Sequence, residues 1–244
     1  MNTYYINNPS TDIYFNLAAE EFLLKNRSEN ILMFWQNTPS VILGKHQSVE
    51  AEIDLNFVQE KHIRVARRYS GGGTVYHDLG NLNLTFIENT NTPNFEHYNR
   101  QTLELLASIG LQAEKDDRLG IYIDRSKISG SAQCIYKTRI LYHCTLLYDT
   151  NLVMLTSSLA AKPNASISSL KYSVPSVKSP VTNVRSHLHT PPTVEDFKKQ
   201  ALDFFIRKDP KGQMYQLNKE EVNRIERLRN EKYATPQWIF NKVF

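Results

Sequence analysis

The sequence predicts a single α+β domain. Helix-period stripes and strand-like runs follow one another without strict βαβ alternation, no segment repeats, and no linker divides two separate cores. At 244 residues the chain is long enough to bury a full core as one unit.

Taken in order, Ser10, Thr11 or Asp12 caps a helix reaching Lys25, with Phe15, Ala18, Ala19, Phe22 and Leu23 as its buried stripe. Residues 31–35 and 40–44 read as strands joined by the turn Gln36-Asn37-Thr38-Pro39. Residues 63–68 and 74–76 are strand-like and flank a sharp glycine-rich bend. Residues 82–87 alternate polar and apolar side chains, as a half-buried strand does. A helix over 98–109 turns Leu103, Leu105, Leu106 and Ile109 inward. Strands are expected at 120–123, 127–135 and 140–147. Residues 161–192 are rich in Ser and Pro with little periodicity, and read as a long surface loop. A helix opens at Thr193, with Asp196 placed as in a capping box, and another spans 218–230.

Composition narrows the function classes. Hydrophobic content of 41% with 22% charged residues suits a globular enzyme and excludes a disordered chain. No apolar run reaches membrane-spanning length, and residues 1–9 lack the pattern of an export signal, so a cytoplasmic protein is expected. Two cysteines, Cys134 and Cys144, without Cys-x-x-Cys spacing argue against a disulfide framework or structural zinc. A net charge of +4, unclustered along the chain, does not mark a nucleic-acid binder. It suits a phosphate-bearing ligand or an acidic protein partner.

The chemistry concentrates in two segments. The first, Arg67-Arg68-Tyr69-Ser70-Gly71-Gly72-Gly73-Thr74-Val75-Tyr76-His77, holds three of the nine glycines. Consecutive glycines mark unusual dihedrals or a close approach to the backbone, and bare amides beside guanidinium groups make an anion cradle. By itself such a bend is more often a tight hairpin with a solvated charged edge. The second segment, Lys127-Ile-Ser-Gly-Ser-Ala132, adds a lysine in a short strand.

Together, residues 67–83, the Lys127 segment and His143-Cys-Thr-Leu-Leu147 resemble lipoate–protein ligases, within the wider biotin/lipoate ligase fold. Asn16-Leu-Ala-Ala-Glu-Glu21, residues 39–47, residues 176–183 and residues 232–238 add weaker matches in the family's order. The resemblance implies a mixed β-sheet flanked by helices, forming one catalytic domain over 1–244. The small accessory C-terminal domain of many members is expected to be absent or encoded separately. It implies a two-step reaction in which lipoate (or octanoate) and ATP give an acyl-adenylate, and a lysine of a lipoyl domain then takes the acyl group. Acceptors would be proteins such as the E2 subunits of 2-oxoacid dehydrogenases or the glycine cleavage H protein. ATP with Mg2+, a possible separate accessory subunit, no nucleic acid and no membrane complete the expectation.

Carried onto this sequence, Lys127 would reach the α-phosphate and the acyl carbonyl oxygen as a fixed positive charge. Arg68 and the amides of Gly73, Thr74, Val75 and Tyr76 would hold the nucleotide. On the acyl side stand Gly71, Gly72, Trp35 and His143. His77 would line the acyl tunnel, contact the nucleotide, or serve only the fold. Val41 and Leu43 read as core, and Asp78 and Asn83 as partners of backbone amides around the bend.

Two departures matter. Where the family usually carries Arg-Asn-Asp, this chain has Arg118-Leu119-Gly120, so the magnesium ligands are unassigned; Asp116, Asp117 or Asp124 are the substitutes at hand. A glycine of the family's His-Gly-Thr is Cys144. A rival reading is an octanoyl or lipoyl transferase working through a cysteine thioester, which needs a thiolate beside the acyl site. Residues 114–126, where such relatives place it, hold no cysteine, leaving Cys144. A non-catalytic binder of lipoate or of lipoyl domains is the other alternative. Gly44-Lys45 lacks the remainder of a Walker motif.

Overall fold

The computed structural model describes residues 3–160 and 174–241; residues 161–173, the first part of the expected long loop, lie outside them. Its strands in chain order are β1 (Thr3–Asn7), β2 (Asn30–Trp35), β3 (Ser40–Leu43), β4 (Arg64–Arg67), β5 (Val75–His77), β6 (Asn81–Asn89), β7 (Glu114–Lys115), β8 (Ile121–Ile123), β9 (Ser126–Ser129), β10 (Ser131–Tyr136), β11 (Arg139–Leu147) and β12 (Gln213–Met214). The helices are α1 (Ile13–Asn26), α2 (Val49–Glu52), α3 (Leu55–Glu60), α4 (Phe95–Ser108), α5 (Leu152–Ser158), α6 (Val194–Lys208), α7 (Lys219–Leu228) and α8 (Pro236–Phe240).

A six-stranded mixed sheet, ordered β10-β11-β6-β2-β1-β12, organises the chain, as expected. Alternation along its strands divides two cores. Leu32, Phe34, Leu84, Phe86 and Tyr142 face α4 and α6, whereas Ile31, Met33, Trp35 and Leu141 face α1. Each such side chain, fully buried, contributes about 1.5–3 kcal/mol of transfer free energy.

Asp12 caps α1, its carboxylate accepting from the Tyr14 amide at 3.1 Å. The expected one-sided stripe is corrected: Asn16, Glu20 and Glu21 are buried as well, because α1 is packed between the sheet and α7. Strand β6 corrects the half-buried expectation in the same way. Its polar Asn81, Asn83 and Thr85 are as buried as its apolar residues, turned toward α1 and a cavity rather than solvent.

The turn after β2 carries the chain into a second sheet, ordered β4-β3-β5. Strands β4 and β5 therefore flank β3 and do not pair with each other, which removes the hairpin reading of the bend. The expected strand over 127–135 breaks at Gly130. Strand β9 joins a small sheet β7-β8-β9, and β10 joins the large one. Pro180 O accepts from the Lys127 amide at 2.7 Å and Lys127 O accepts from the Thr182 amide at 3.0 Å, anchoring the loop end to β9.

Helix α4 begins at Phe95 under the Asn94 cap, with Tyr98, Thr102, Leu105 and Leu106 buried and Leu103 only partly so. Thr193 caps α6, and a full capping box between Asn218 and Glu221 opens α7. Helix α7 ends at Leu228 and a π-turn, Arg229–Tyr233, follows. Among the described residues no helix is long and apolar enough to cross a membrane.

Candidate active site

A cavity of about 470 Å³ opens where the three sheets meet. Leu17, Trp35, Ile42 and Val75 supply its apolar wall, Gly71, Gly72, Gly73 and Thr74 one rim, and Arg118, Lys127 and Gly130 another. Leu17, Trp35 and Ile42 are buried while Gly72 and Gly73 are exposed, so the cavity runs from an apolar interior to a polar mouth. Lys127 and the glycine bend, 54 residues apart between Gly73 and Lys127, thus share one space.

The bend is held rigidly, and the two arginines do the holding. Arg68 donates from Nη2 to Gly71 O at 2.6 Å and to Gly73 O at 2.7 Å, from Nη1 to Ile42 O, and from Nε to Ser70 Oγ at 3.0 Å. Arg67, wholly buried, donates to the carbonyls of Gly44, Lys45, Gln47, Trp238 and Ile239. Trp238 Nε1 returns a bond to Arg67 O at 2.8 Å. Neither guanidinium is a free phosphate claw, although Arg68 borders the cavity. Burial lowers the pKa of both arginines, Arg68 to about 10. The charge persists at neutral pH.

Glycine is required at two points of contact. Gly72 has φ +87°, and a Cβ on Gly44 would lie 2.0 Å from Gly72 O. Gln47 secures the far side: its Oε1 accepts from Gly44 N at 2.9 Å and Thr74 Oγ1 at 2.7 Å. The Thr74 amide donates to Ser176 Oγ at 2.8 Å, and Glu52 accepts from both the Ser176 amide and hydroxyl. Gln47, Glu52 and Ser176 went unpicked in the sequence; the resemblance segments 39–47 and 176–183 contained two of them.

Alternation along β5 places the Val75 and His77 side chains at the cavity and sends the Tyr76 ring into a separate core with Val41, Leu43, Val49 and Val58. Val41 and Leu43 are core, as expected, and the residue between them, Ile42, is the wall. Asp78 accepts from the Gly80 and Asn151 amides, as expected. Asn83 instead donates to Trp35 O at 3.2 Å and borders the cavity.

A polar chain crosses the floor. Trp35 Nε1 donates to Thr85 Oγ1 at 2.8 Å, Thr85 donates to Glu20 Oε1 at 2.6 Å, and His143 Nδ1 pairs with the same oxygen at 2.8 Å. His143 Nε2 pairs with Ser70 Oγ at 2.9 Å, closing the chain onto the bend. Glu20 went unpicked; its signal was its place in Asn16-Leu-Ala-Ala-Glu-Glu21.

His77 is a buried donor facing the cavity. Asn16 Nδ2 donates to Asn37 Oδ1 at 2.8 Å, which orients Asn37 Nδ2 toward His77 Nδ1 at 2.9 Å. Nδ1 accepts, so Nε2 carries the hydrogen, and among the described residues it has no partner. Burial pulls the imidazole down to about 3, with the neighbouring His143 and Arg68 adding to the shift.

Lys127 extends beside two glycines: a Cβ at Gly120 would lie 3.1 Å from its Cε, and one at Gly130 would lie 3.6 Å away. Its ammonium sits 5.8 Å from the centre of the Tyr122 ring. Burial lowers its pKa, opposed by Asp116 and reinforced by Arg118. With Arg68 also charged, the cavity walls carry positive charge that an anionic ligand would compensate.

Magnesium finds a poor fit. Asp116 accepts from the Arg118 and Gly120 amides and the Tyr122 hydroxyl, Leu119 and Gly120 offer no side-chain oxygen, and Asp117 and Asp124 are exposed. Among the described residues no three His, Cys, Asp or Glu side chains gather as a metal site. Leu119 also holds φ 61°, a left-handed conformation that asparagine tolerates better. Cys144 is buried against Thr102, and burial pushes its thiol up to about 12, the reverse of an activated nucleophile.

The model of one protein family, the lipoyl protein ligase A/B catalytic domain, matches residues 12–206. Lipoate–protein ligase 1 of Staphylococcus aureus is 36% identical over 241 residues, covering 97% of this chain and 72% of that protein. The crystal structure of a lipoate–protein ligase A bound with ATP is similar with a TM-score of 0.83 and 25% identity, over 100% of both chains. A bi-partite lipoate–protein ligase from Thermoplasma acidophilum, described with its E2 lipoyl domain, gives a TM-score of 0.82 and 25% identity over 100% and 98%.

Proposed function

The chain belongs to the lipoyl protein ligase A/B catalytic-domain family, and from that premise we propose how its own residues carry the family's reaction. The activity is that of a lipoate–protein ligase: ATP-dependent activation of lipoate, then transfer to a lysine of a lipoyl domain. One observation carries the assignment of residues, namely that Lys127 and the glycine bend border one cavity with an apolar interior.

A carboxylate is a poor electrophile at neutral pH. In the first step a lipoate carboxylate oxygen attacks the α-phosphorus of ATP, the bond to the bridging oxygen breaks, and pyrophosphate leaves. In the second, the acceptor's neutral ε-amine attacks the acyl carbonyl carbon, AMP leaves with the bonding electrons, and the new amide loses a proton. Such chemistry depends on positioning and on charge placed where charge develops.

Leu17, Trp35, Ile42 and Val75 receive the alkyl chain and dithiolane. Lys127 meets the carboxylate and α-phosphate at the mouth, and the amides of Gly71, Gly72, Gly73 and Tyr76 face the nucleotide. Arg68 acts by holding those amides in place. His77 offers its Nε2–H inward, and His143, through Ser70 and Glu20, fixes the floor. No step is assigned to magnesium, whose ligands the described side chains do not assemble. Octanoate fits the same apolar wall as an alternative acyl group.

The acceptors proposed are E2 subunits of 2-oxoacid dehydrogenases or the glycine cleavage H protein. A separate accessory subunit is part of the proposal, supported by likeness to the bi-partite archaeal ligase. The free thiols Cys134 and Cys144 suit a reducing cytoplasm. The test is lipoate-dependent ATP–pyrophosphate exchange by the purified chain, followed by transfer to a lipoyl domain, in wild type and Cys144→Ala. Exchange retained in both supports the ligase. Acyl transfer from an acyl carrier protein without exchange, abolished by Cys144→Ala, would refute it.

A further inference from the structure

Beside the glycine bend, three ammonium groups converge on one aromatic ring. The Nζ atoms of Lys25, Lys45 and Lys232 lie 4.6, 5.4 and 4.9 Å from the centre of the Tyr69 ring. They arrive from separate places: the last turn of α1, the loop after β3, and the π-turn before α8. One carboxylate answers them. Glu21 takes Lys25 on Oε1 at 2.7 Å and Lys232 on Oε2 at 2.6 Å. Its two oxygens are then engaged, and Lys45 has no carboxylate partner among the described residues. Three cations against one anion leave a surplus of positive charge on a partly exposed surface. Burial lowers the Lys232 pKa, and the charges of Lys25 and Lys45 add to that, as expected for crowded like charges.

The cluster stands next to the mouth but outside the cavity. Tyr69 lies two residues before Gly71, and the Lys45 amide donates to Ser70 O at 2.9 Å, fixing the loop to the bend. None of the three lysines lines the cavity. With Lys25 exposed and Lys45 and Lys232 half-buried, their charge reaches the surface beside the bend. An acceptor must bring a lysine to the mouth, and a second positive surface would be repelled unless acidic residues flank that lysine.

We propose that the Lys25–Lys45–Lys232 cluster around Tyr69 is the docking surface for the acceptor protein, and that it receives an acidic face beside the target lysine. This rests on the ligase reading. Complementary charge of this kind raises encounter rate and sets orientation, and on an exposed surface it is screened by salt.

The test uses the whole chain with a purified lipoyl domain, measuring acceptor KM at low and high ionic strength beside lipoate-dependent ATP–pyrophosphate exchange. Lys45→Glu is the variant, since the one contact of its side chain described above is with Tyr69. The expected result is an acceptor KM raised about tenfold or more at low salt, a difference that closes at high salt, and an unchanged exchange rate. Wild-type acceptor KM should itself rise with salt, which tests the idea without any variant. An acceptor KM indifferent to both salt and the substitution would overturn the proposal. So would a loss of exchange in step with transfer, which would give the lysines to the nucleotide. Absence of exchange in the wild type would strike the ligase reading instead.

Discussion

Replacing Lys127 by alanine removes the half-buried cation of the cavity rim, leaving there only the exposed Arg118. Its stem runs between the spaces left by Gly120 and Gly130, and its ammonium forms no ion pair among the described residues. Of the other cations at the cavity, Arg118 is exposed at the rim, and Arg68 is engaged by Ile42 O, Gly71 O and Gly73 O and cannot swing across. The expected loss is that of one preorganised donor to developing charge, about 10²–10³ in rate or ~3–4 kcal/mol. The assay is lipoate-dependent ATP–pyrophosphate exchange, with a urea melt to separate folding from chemistry. Arginine should not restore it, because the wider guanidinium meets the walls beside residues 120 and 130. The pH dependence adds a sign. Burial lowers the Lys127 pKa from the usual 10.5, so the ammonium is lost at lower pH than in a free lysine. Exchange should persist below that folded pKa and fall as pH rises through it. Asp116→Asn removes the opposing charge and should move the fall to still lower pH. An undiminished rate in Lys127→Ala, or an alkaline limb at or above the free-lysine value, would refute the reasoning.

Other outcomes follow from the same contacts. Arg67→Met leaves buried carbonyls of Gly44, Gln47 and Ile239 without donors, and should cost about 2–4 kcal/mol in urea unfolding, with α8 cut early in limited proteolysis. Gly72→Ala places a methyl on a backbone with φ +87° and 2.9 Å from Arg68 Nη2; stability should fall by about 1–2 kcal/mol, and exchange should fall further than stability explains. Because His77 is held down to about 3, its ring resonances should not titrate between about pH 5 and 8 in NMR spectra.

Local chemistry was legible in the sequence, and distant partnership was not. The start of α1 could be read because the Asp12 cap lies two residues from the amide it accepts. The burial of Glu20 and Glu21 could not, since His143, Lys232 and Tyr233 reach them from 123, 211 and 212 residues away. Arg67 and Arg68 looked alike as an anion cradle. Their difference lies in which carbonyls the second sheet and α8 bring to each. The amides of 73–76 were read as one run, but Ser176, 102 residues away, claims that of Thr74. Lys127 and the bend were joined by resemblance to a family, and the fold supplies the physical reason, a strand broken at Gly130.

That break has a kinetic meaning. Lys127 rides on the small sheet, the glycines on the second, and His143 on the large one. Within one ladder, register would dictate their separation; here it is dictated by a joint, residue 130 bonded to the Thr145 amide. Lengthening or shortening the chain at that joint by one residue would detune turnover long before it melted the protein.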